Sequence, residues 1–183
     1  MAFNPGEFRS QMEFDGARPN LFQIQMQFPL IAGANPQIAQ QKFSIMCRGA
    51  QIPGASVSPV TLNYQGREIK VPGNRNFSEW TVTVYNDEDY IVKNQFDRWL
   101  NAFNTHRGNL RSPTAINASQ YSSDPIVTHY GKSGNTIQQW KLIGAFPVDI
   151  APIDLDWANN DVVSDFSITL AYQWTENIAA GIL

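Results

Sequence analysis

The sequence predicts an all-β fold, an antiparallel β-sandwich or barrel subunit with one flanking α-helix. Three observations predict it. Stretches that alternate apolar and polar residues recur along the chain, most cleanly at 80–85 and 164–174, and period two is the mark of a half-buried strand. The 12 glycines and 11 prolines fall mostly between those stretches, where a many-stranded chain needs turns. Only residues 92–103 repeat at helical spacing.

Taken in order, "LFQIQMQF" (21–28) places Phe22, Ile24, Met26 and Phe28 on one face and Gln23, Gln25 and Gln27 on the other. The Pro-, Gly- and Ala-rich stretch 29–41 reads as a long loop, and "KFSIMCRGA" (42–50) as a second strand. "VSPVTLNYQGREIKVPG" (57–73) reads as a hairpin turning near Gln65 and Gly66, with a polar tip and strand ends that lack a continuous apolar face. In the next strand Trp80, Val82 and Val84 point to the core, while Glu79, Thr81, Thr83 and Tyr85 point away. The helix follows, with Val92, Phe96, Trp99, Leu100 and Phe103 on one stripe. Asn86 is its expected cap, and Asp87, Glu88 and Asp89 suit the positive end of its dipole.

Beyond the helix, 105–124 is polar and aperiodic, the pattern of a second long surface loop. "PIVTHYG" (125–131) and "TIQQWKLIGAF" (136–146) bracket the turn "KSGN" as another hairpin. In "SDFSITLAYQW" (164–174), Phe166, Ile168, Leu170, Tyr172 and Trp174 share one side, and Asp165, Ser167, Thr169, Ala171 and Gln173 the other. No repeat divides the chain, so 1–183 is expected to form a single domain, ending in an extension at 175–183.

Composition excludes several functions. With 16 acidic and 13 basic residues the net charge is −3, which leaves no broad basic field for nucleic acid or an anionic membrane. One cysteine, Cys47, rules out a disulfide within the chain, and its alternating context reads as a small buried hydrophobe. No leader or membrane-length apolar run is visible, so a soluble chain of a reducing compartment is expected.

Candidate chemistry is thin. His106 and His129 stand at no metal-ligand spacing with Cys47, no Gly-x-Ser-x-Gly elbow precedes a helix, and glycine-rich phosphate loops are missing. "DLDWANND" (154–161) imitates a calcium loop but lacks its glycine and has Ala158 at a ligand position; it reads as a turn anchored by Trp157. The expectation is a protein with no catalytic residues, metal or cofactor. What remains is the uncharged polar faces of several strands, where solvent-facing sheets usually carry Lys and Glu. Such faces fit an ordinary solvated sheet or the wet interior of a multi-subunit assembly.

Three blocks carry a resemblance: "ARPNLFQ" (17–23), "GNRNFSEWTVTVYNDED" (73–89) and "APIDLDWANNDVVSDFSITLAYQW" (151–174). They resemble the tail-tube proteins of contractile-tailed bacteriophages, the central phrase being carried by Arg75, Phe77, Trp80, Thr81, Val82, Val84, Asn86, Asp87 and Glu88. Against that family's pattern, the loop 29–41 is longer and 175–183 runs past the usual last strand.

The resemblance implies hexameric rings stacked into the inner tube of a phage tail, with inner strands of all subunits forming one β-barrel. It implies a virion component made in the host bacterial cytoplasm. The implied partners are further copies of itself, the tail sheath protein, baseplate or tube-initiator proteins, a tape-measure protein and a tail terminator. Duplex DNA would pass without sequence-specific binding, and no membrane is involved. The tube protein of a bacterial type VI secretion or related contractile injection system is the alternative, and a carbohydrate-binding β-sandwich a more distant one.

Within that reading, Glu79, Thr81, Thr83, Asp165, Ser167 and Thr169 are the expected lumen-facing residues. Asn63, Tyr64, Gln65, Gly66, Arg67 and Glu68 form the expected inter-subunit hairpin tip. Trp80, Val82, Val84, Phe96, Trp99, Phe166, Ile168 and Leu170 are the expected core.

Overall fold

The computed structural model describes residues 4–12, 16–33 and 36–178. Near its start, helix α1 (Pro5–Gln11) is capped by the Asn4 side chain, which accepts from the Gly6 amide, and buries none of its residues. Among the described residues ten strands follow, and eight of them form two four-stranded antiparallel sheets that share one core.

The first sheet runs β1 (Phe22–Gln25), β6 (Ile126–Tyr130), β7 (Thr136–Ile143) and β10 (Trp174–Asn177). The second runs β2 (Cys47–Ala50), β5 (Trp80–Tyr85), β9 (Asp165–Ala171) and β8 (Phe146–Ile150). Trp80, Val82, Val84, Phe166, Ile168 and Leu170 are buried, as their alternation predicts, and meet Ile24, Val127 and Leu142 from the first sheet in a single cluster. Neither sheet closes on itself within the subunit.

Helix α3 (Ile91–Phe103) completes the core from the side. Phe96 and Trp99 stack at 6.0 Å, Phe28 meets both edge-on at 5.1 and 6.1 Å, and Phe43 lies 5.8 Å from Phe96. Aromatic edges on faces add attraction beyond the area they bury. The main neighbours of α3 are α2 (Pro36–Met46), the 3-10 turn Leu30–Ala32 and β8, so it flanks the sandwich.

Four sequence expectations are corrected. Within the expected loop 29–41, residues 36–41 are helical, and 42–46 are no strand, because α2 runs from Pro36 to Met46 and Cys47–Ala50 alone of that segment is extended. Ala39 and Phe43, four apart, are its buried positions, while Ile45 is exposed.

Secondly, Asn86 does not cap α3. Tyr90 occupies the cap position in left-handed conformation at φ 50°, and the Asp89 carboxylate takes the Ile91 amide instead. Asp87 and Asp89 both pair with Lys42 of α2, so the acidic run ties two helices together as well as serving a helix start.

Thirdly, the strands expected at 136–146 and 164–174 each divide in two. Gly144, at φ 67°, breaks the first, and its amide donates to Asp124. The chain then leaves the first sheet for the second as β8, and after Ala171 it returns to the first sheet as β10. Residues 175–177 therefore belong to the sheet rather than to an extension, and 179–183 lie outside the described residues. Finally, the polar stretch 105–124 is irregular as expected but contains a short helix, α4 (Ala118–Tyr121).

The remaining strands, β3 (Ala55–Tyr64) and β4 (Arg67–Phe77), pair only with each other in the sheet topology and form the expected hairpin. Gln65 and Gly66 both have positive φ, the signature of a two-residue turn that matches strand twist. Pro59 faces Pro72 across the pair, and the register shifts between Val57 and Pro59. Two prolines without amide hydrogens interrupt the ladder there, and a Cβ on Gly73 would sit 2.5 Å from the Ser58 carbonyl oxygen, so the close approach requires glycine. This bulge separates a base from an outer arm. Phe77 packs at 5.9 Å against Tyr172 and holds the base on the body.

Candidate functional site

Two surfaces stand out once the fold is assembled. The first is the outer face of the second sheet. β5 and β9 pair so that Thr81 lies opposite Thr169 and Thr83 opposite Ser167. Their hydroxyls meet across the strands, Thr83 with Ser167 at 3.0 Å and Thr81 with Thr169 at 3.4 Å. Sequence reasoning named these residues on separate strands, and the fold brings them into one ladder. Each hydroxyl satisfies another, leaving a smooth, neutral face.

Among the described residues, charges flank that ladder at its margins. Asp165 pairs with Arg48 from β2, whose guanidinium also lies 5.7 Å over the Tyr85 ring. The guanidinium is held above its ordinary pKa by Asp165, first through the hydrogen bond and then through charge. Asp149 stands opposite Thr169 on β8, and Glu79 precedes β5. Of these four charged residues three are acidic, so the face is neutral at its centre and mildly acidic at its rim.

The second surface is the hairpin. Every residue of β3 is exposed, and so is most of β4. Val60 faces Val71, Leu62 faces Ile69 and Tyr64 faces Arg67, so these pairs share one side. Thr61 with Lys70 and Asn63 with Glu68 share the other. The sequence expectation that the strand ends lack a continuous apolar face is corrected: Val60, Leu62, Ile69 and Val71 make one. That face emerges from the register of the two strands. An arm with a solvent-exposed apolar side is a surface built to be covered.

A third feature was misread in the sequence. Trp157, expected to anchor a turn, is 100% exposed, and Leu155 beside it is 85% exposed. The turn is instead held by the Asp156 carboxylate, which accepts the Ala158 amide at 3.0 Å.

Elsewhere the chemistry is quiet. Burial pushes the Cys47 thiol up to about 12, far from a reactive thiolate. His129 contacts the Arg18 carbonyl oxygen at 2.8 Å on β6, whereas His106 follows α3. Among the described residues no three His, Cys, Asp or Glu side chains converge to hold a metal, and no helix is long and apolar enough to cross a membrane.

Comparison with known proteins agrees with this architecture. Residues 17–176 match the phage tail tube protein family. The tail tube protein gp19 of Enterobacteria phage T4 is 29% identical over 176 residues, covering 96% of this chain and 95% of that protein. The tail tube protein of Serratia phage KSP90 is 24% identical over 168 residues, covering 91% and 92%. Among solved structures, a chain of the sheath–tube complex of an extracellular contractile injection system, PVC, in its extended state shares the fold with a TM-score of 0.62. It is 15% identical, and the match covers 95% of this chain and 98% of that one. A chain of the six-fold symmetrised anti-feeding prophage baseplate gives 0.64 at 17% identity, covering 89% and 95%.

Proposed function

This chain belongs to the phage tail tube protein family, and on that premise we propose how its surfaces build and line a tube. It is a structural protein of a contractile phage tail and a component of the virion. Six copies close a ring, rings stack, and the second sheets of neighbouring copies join edge to edge into a continuous barrel. Four strands from each of six copies exceed the roughly 16–18 at which a barrel already encloses an aqueous channel. Joining the sheets also covers the unpaired edges of β2 and β8. The six-fold symmetry of the baseplate containing a similar chain supports this ring number.

The Thr81–Thr169 and Thr83–Ser167 ladder faces the lumen, with Glu79 and Asp165 at its margins. Duplex DNA carries about one negative charge per 1.7 Å of axis, so a basic wall would hold it, whereas a neutral or acidic wall lets it pass. The β3–β4 arm makes the contact between copies that extends the tube. Sheath, baseplate and terminator proteins bind the outer wall and the ends, and a tape-measure protein occupies the lumen before DNA. The protein's role is mechanical and performs no catalysis.

The observation that carries the reading is the free-standing arm with its uncovered apolar side. Electron microscopy of purified protein tests it: hollow tubes or stacked rings are expected. Deletion of Tyr64–Glu68 should leave a folded subunit that forms no long tubes. Unimpaired tube growth by the deletion variant would refute the role given to the arm.

A further inference from the structure

The arm needs a seat on another copy, and one segment of this chain has the complementary properties. We infer that residues 154–163, between β8 and β9, receive the β3–β4 arm of a neighbouring copy. This rests on the tube reading above and adds the acceptor to it.

The two surfaces match in charge and in apolar character. The hairpin 55–77 carries Arg67, Lys70 and Arg75 against one acid, Glu68, in a chain whose overall balance is acidic. The segment 154–163 carries Asp154, Asp156 and Asp161 and no basic residue. Interleaved with those acids, Leu155, Trp157, Val162 and Val163 are all exposed. The arm presents Val60, Leu62 and Ile69, likewise exposed. Opposite charges around apolar centres fix the register of a contact, while the apolar residues supply most of its strength.

The contact must form between copies. If the two segments met within one chain, their apolar side chains would bury each other, yet Trp157 is 100% and Leu62 51% exposed. Two different patches that fit each other make a head-to-tail contact, and such a contact repeats from copy to copy into rings or filaments. A fully exposed tryptophan is also the residue type most enriched where interfaces draw their energy.

Cross-linking in assembled protein tests the pairing. A Leu62→Cys, Trp157→Cys chain, oxidised after assembly, is expected to give a ladder of covalent multimers on a denaturing, non-reducing gel. Each single variant should give none, since the native Cys47 thiol is poorly ionised. Asp154→Lys with Asp161→Lys, which leaves the turn-holding Asp156 in place, should raise the concentration needed for assembly about tenfold or more through like-charge contact with the arm. Adding Arg67→Glu and Lys70→Glu to the same chain should restore it.

Tubes that form normally but give no ladder would overturn the pairing while leaving the tube reading intact. If the cysteine chain fails to assemble, the charge reversals decide. Assembly that ignores the reversal, or that the second reversal does not restore, places the segment against a sheath protein or solvent and refutes the seat. A wild-type chain that stays monomeric at every concentration, and when supplied with a tube-initiating complex, would overturn both readings.

Discussion

Replacing Trp99 with alanine probes the junction of α3 with the sandwich. Its indole is fully buried, stacks on Phe96 at 6.0 Å, meets Phe28 at 6.1 Å, and donates Nε1–H to the Tyr121 carbonyl at 2.8 Å. An aromatic side chain of this size removes about 150–250 Å² from water, and about 25 cal/mol per Å² converts that to about 4–6 kcal/mol, part of which the alanine methyl retains. The cavity and the orphaned carbonyl oxygen act in the other direction. The expected loss is about 3–5 kcal/mol, the range found for core Trp and Phe truncations. Urea unfolding followed by fluorescence, at a concentration where the chain sediments as one species, reads it without linkage to assembly. For a slope of about 2 kcal/mol/M, the midpoint should fall by about 1.5–2.5 M. Trp99→Phe keeps most of the packing and loses the hydrogen bond, so it should cost about 1–2 kcal/mol. A Trp99→Ala midpoint equal to the parent's would refute the packing of α3 described above.

Other expectations follow from the same geometry. Thr83→Lys with Thr169→Lys should leave assembly largely intact and slow DNA ejection, most severely at low salt; normal ejection kinetics from particles carrying both lysines would remove this face from the lumen. Gly73→Ala forces a contact with the Ser58 carbonyl oxygen and should disturb the arm while sparing the body, seen as impaired tube growth with an almost unchanged unfolding midpoint. The Asp89 carboxyl is held below its ordinary 3.8 first by the hydrogen bond from Lys42, then by the Ile91 amide. A depressed pKa contributes stability above 3.8 that is lost as pH falls through the lower folded value, so acid titration of Lys42→Met should show a smaller stability loss below pH 3.8 than the parent. Equal acid sensitivity of the two chains would deny the Lys42–Asp89 link.

Much of the body was legible because period two survives into burial. Trp80, Val82 and Val84, and Phe166, Ile168 and Leu170, are core as alternation requires. Alternation failed over 42–46, where a five-residue apolar pattern fits period two and period 3.6 alike. The partner that makes Phe43 helical is Ala39, in a stretch that Gly33 and Pro36 disguised as a loop. The crossings between sheets at Gly144 and after Ala171 were invisible because alternation continues while the hydrogen-bonding partner changes. For the candidate surfaces, the polar faces of β5 and β9 were readable, but their pairing into one ladder is a property of register. The hairpin turn was readable from Gln65 and Gly66; its apolar side was hidden by Pro59, Pro72 and Gly73. Trp157 was misassigned because a lone tryptophan in a turn is ordinarily packed within its own subunit, and here it stands clear.

A helical cryo-electron microscopy reconstruction of tubes grown from the purified chain tests the central claim most directly, since it shows which face of which sheet borders the channel. The account predicts six-fold rings whose inner wall is a continuous barrel made from the β2-β5-β9-β8 sheets, with Thr81, Thr83, Ser167 and Thr169 lining it. Tubes whose channel is lined by the β1-β6-β7-β10 sheet, with the threonine ladder on the outer wall, would contradict it.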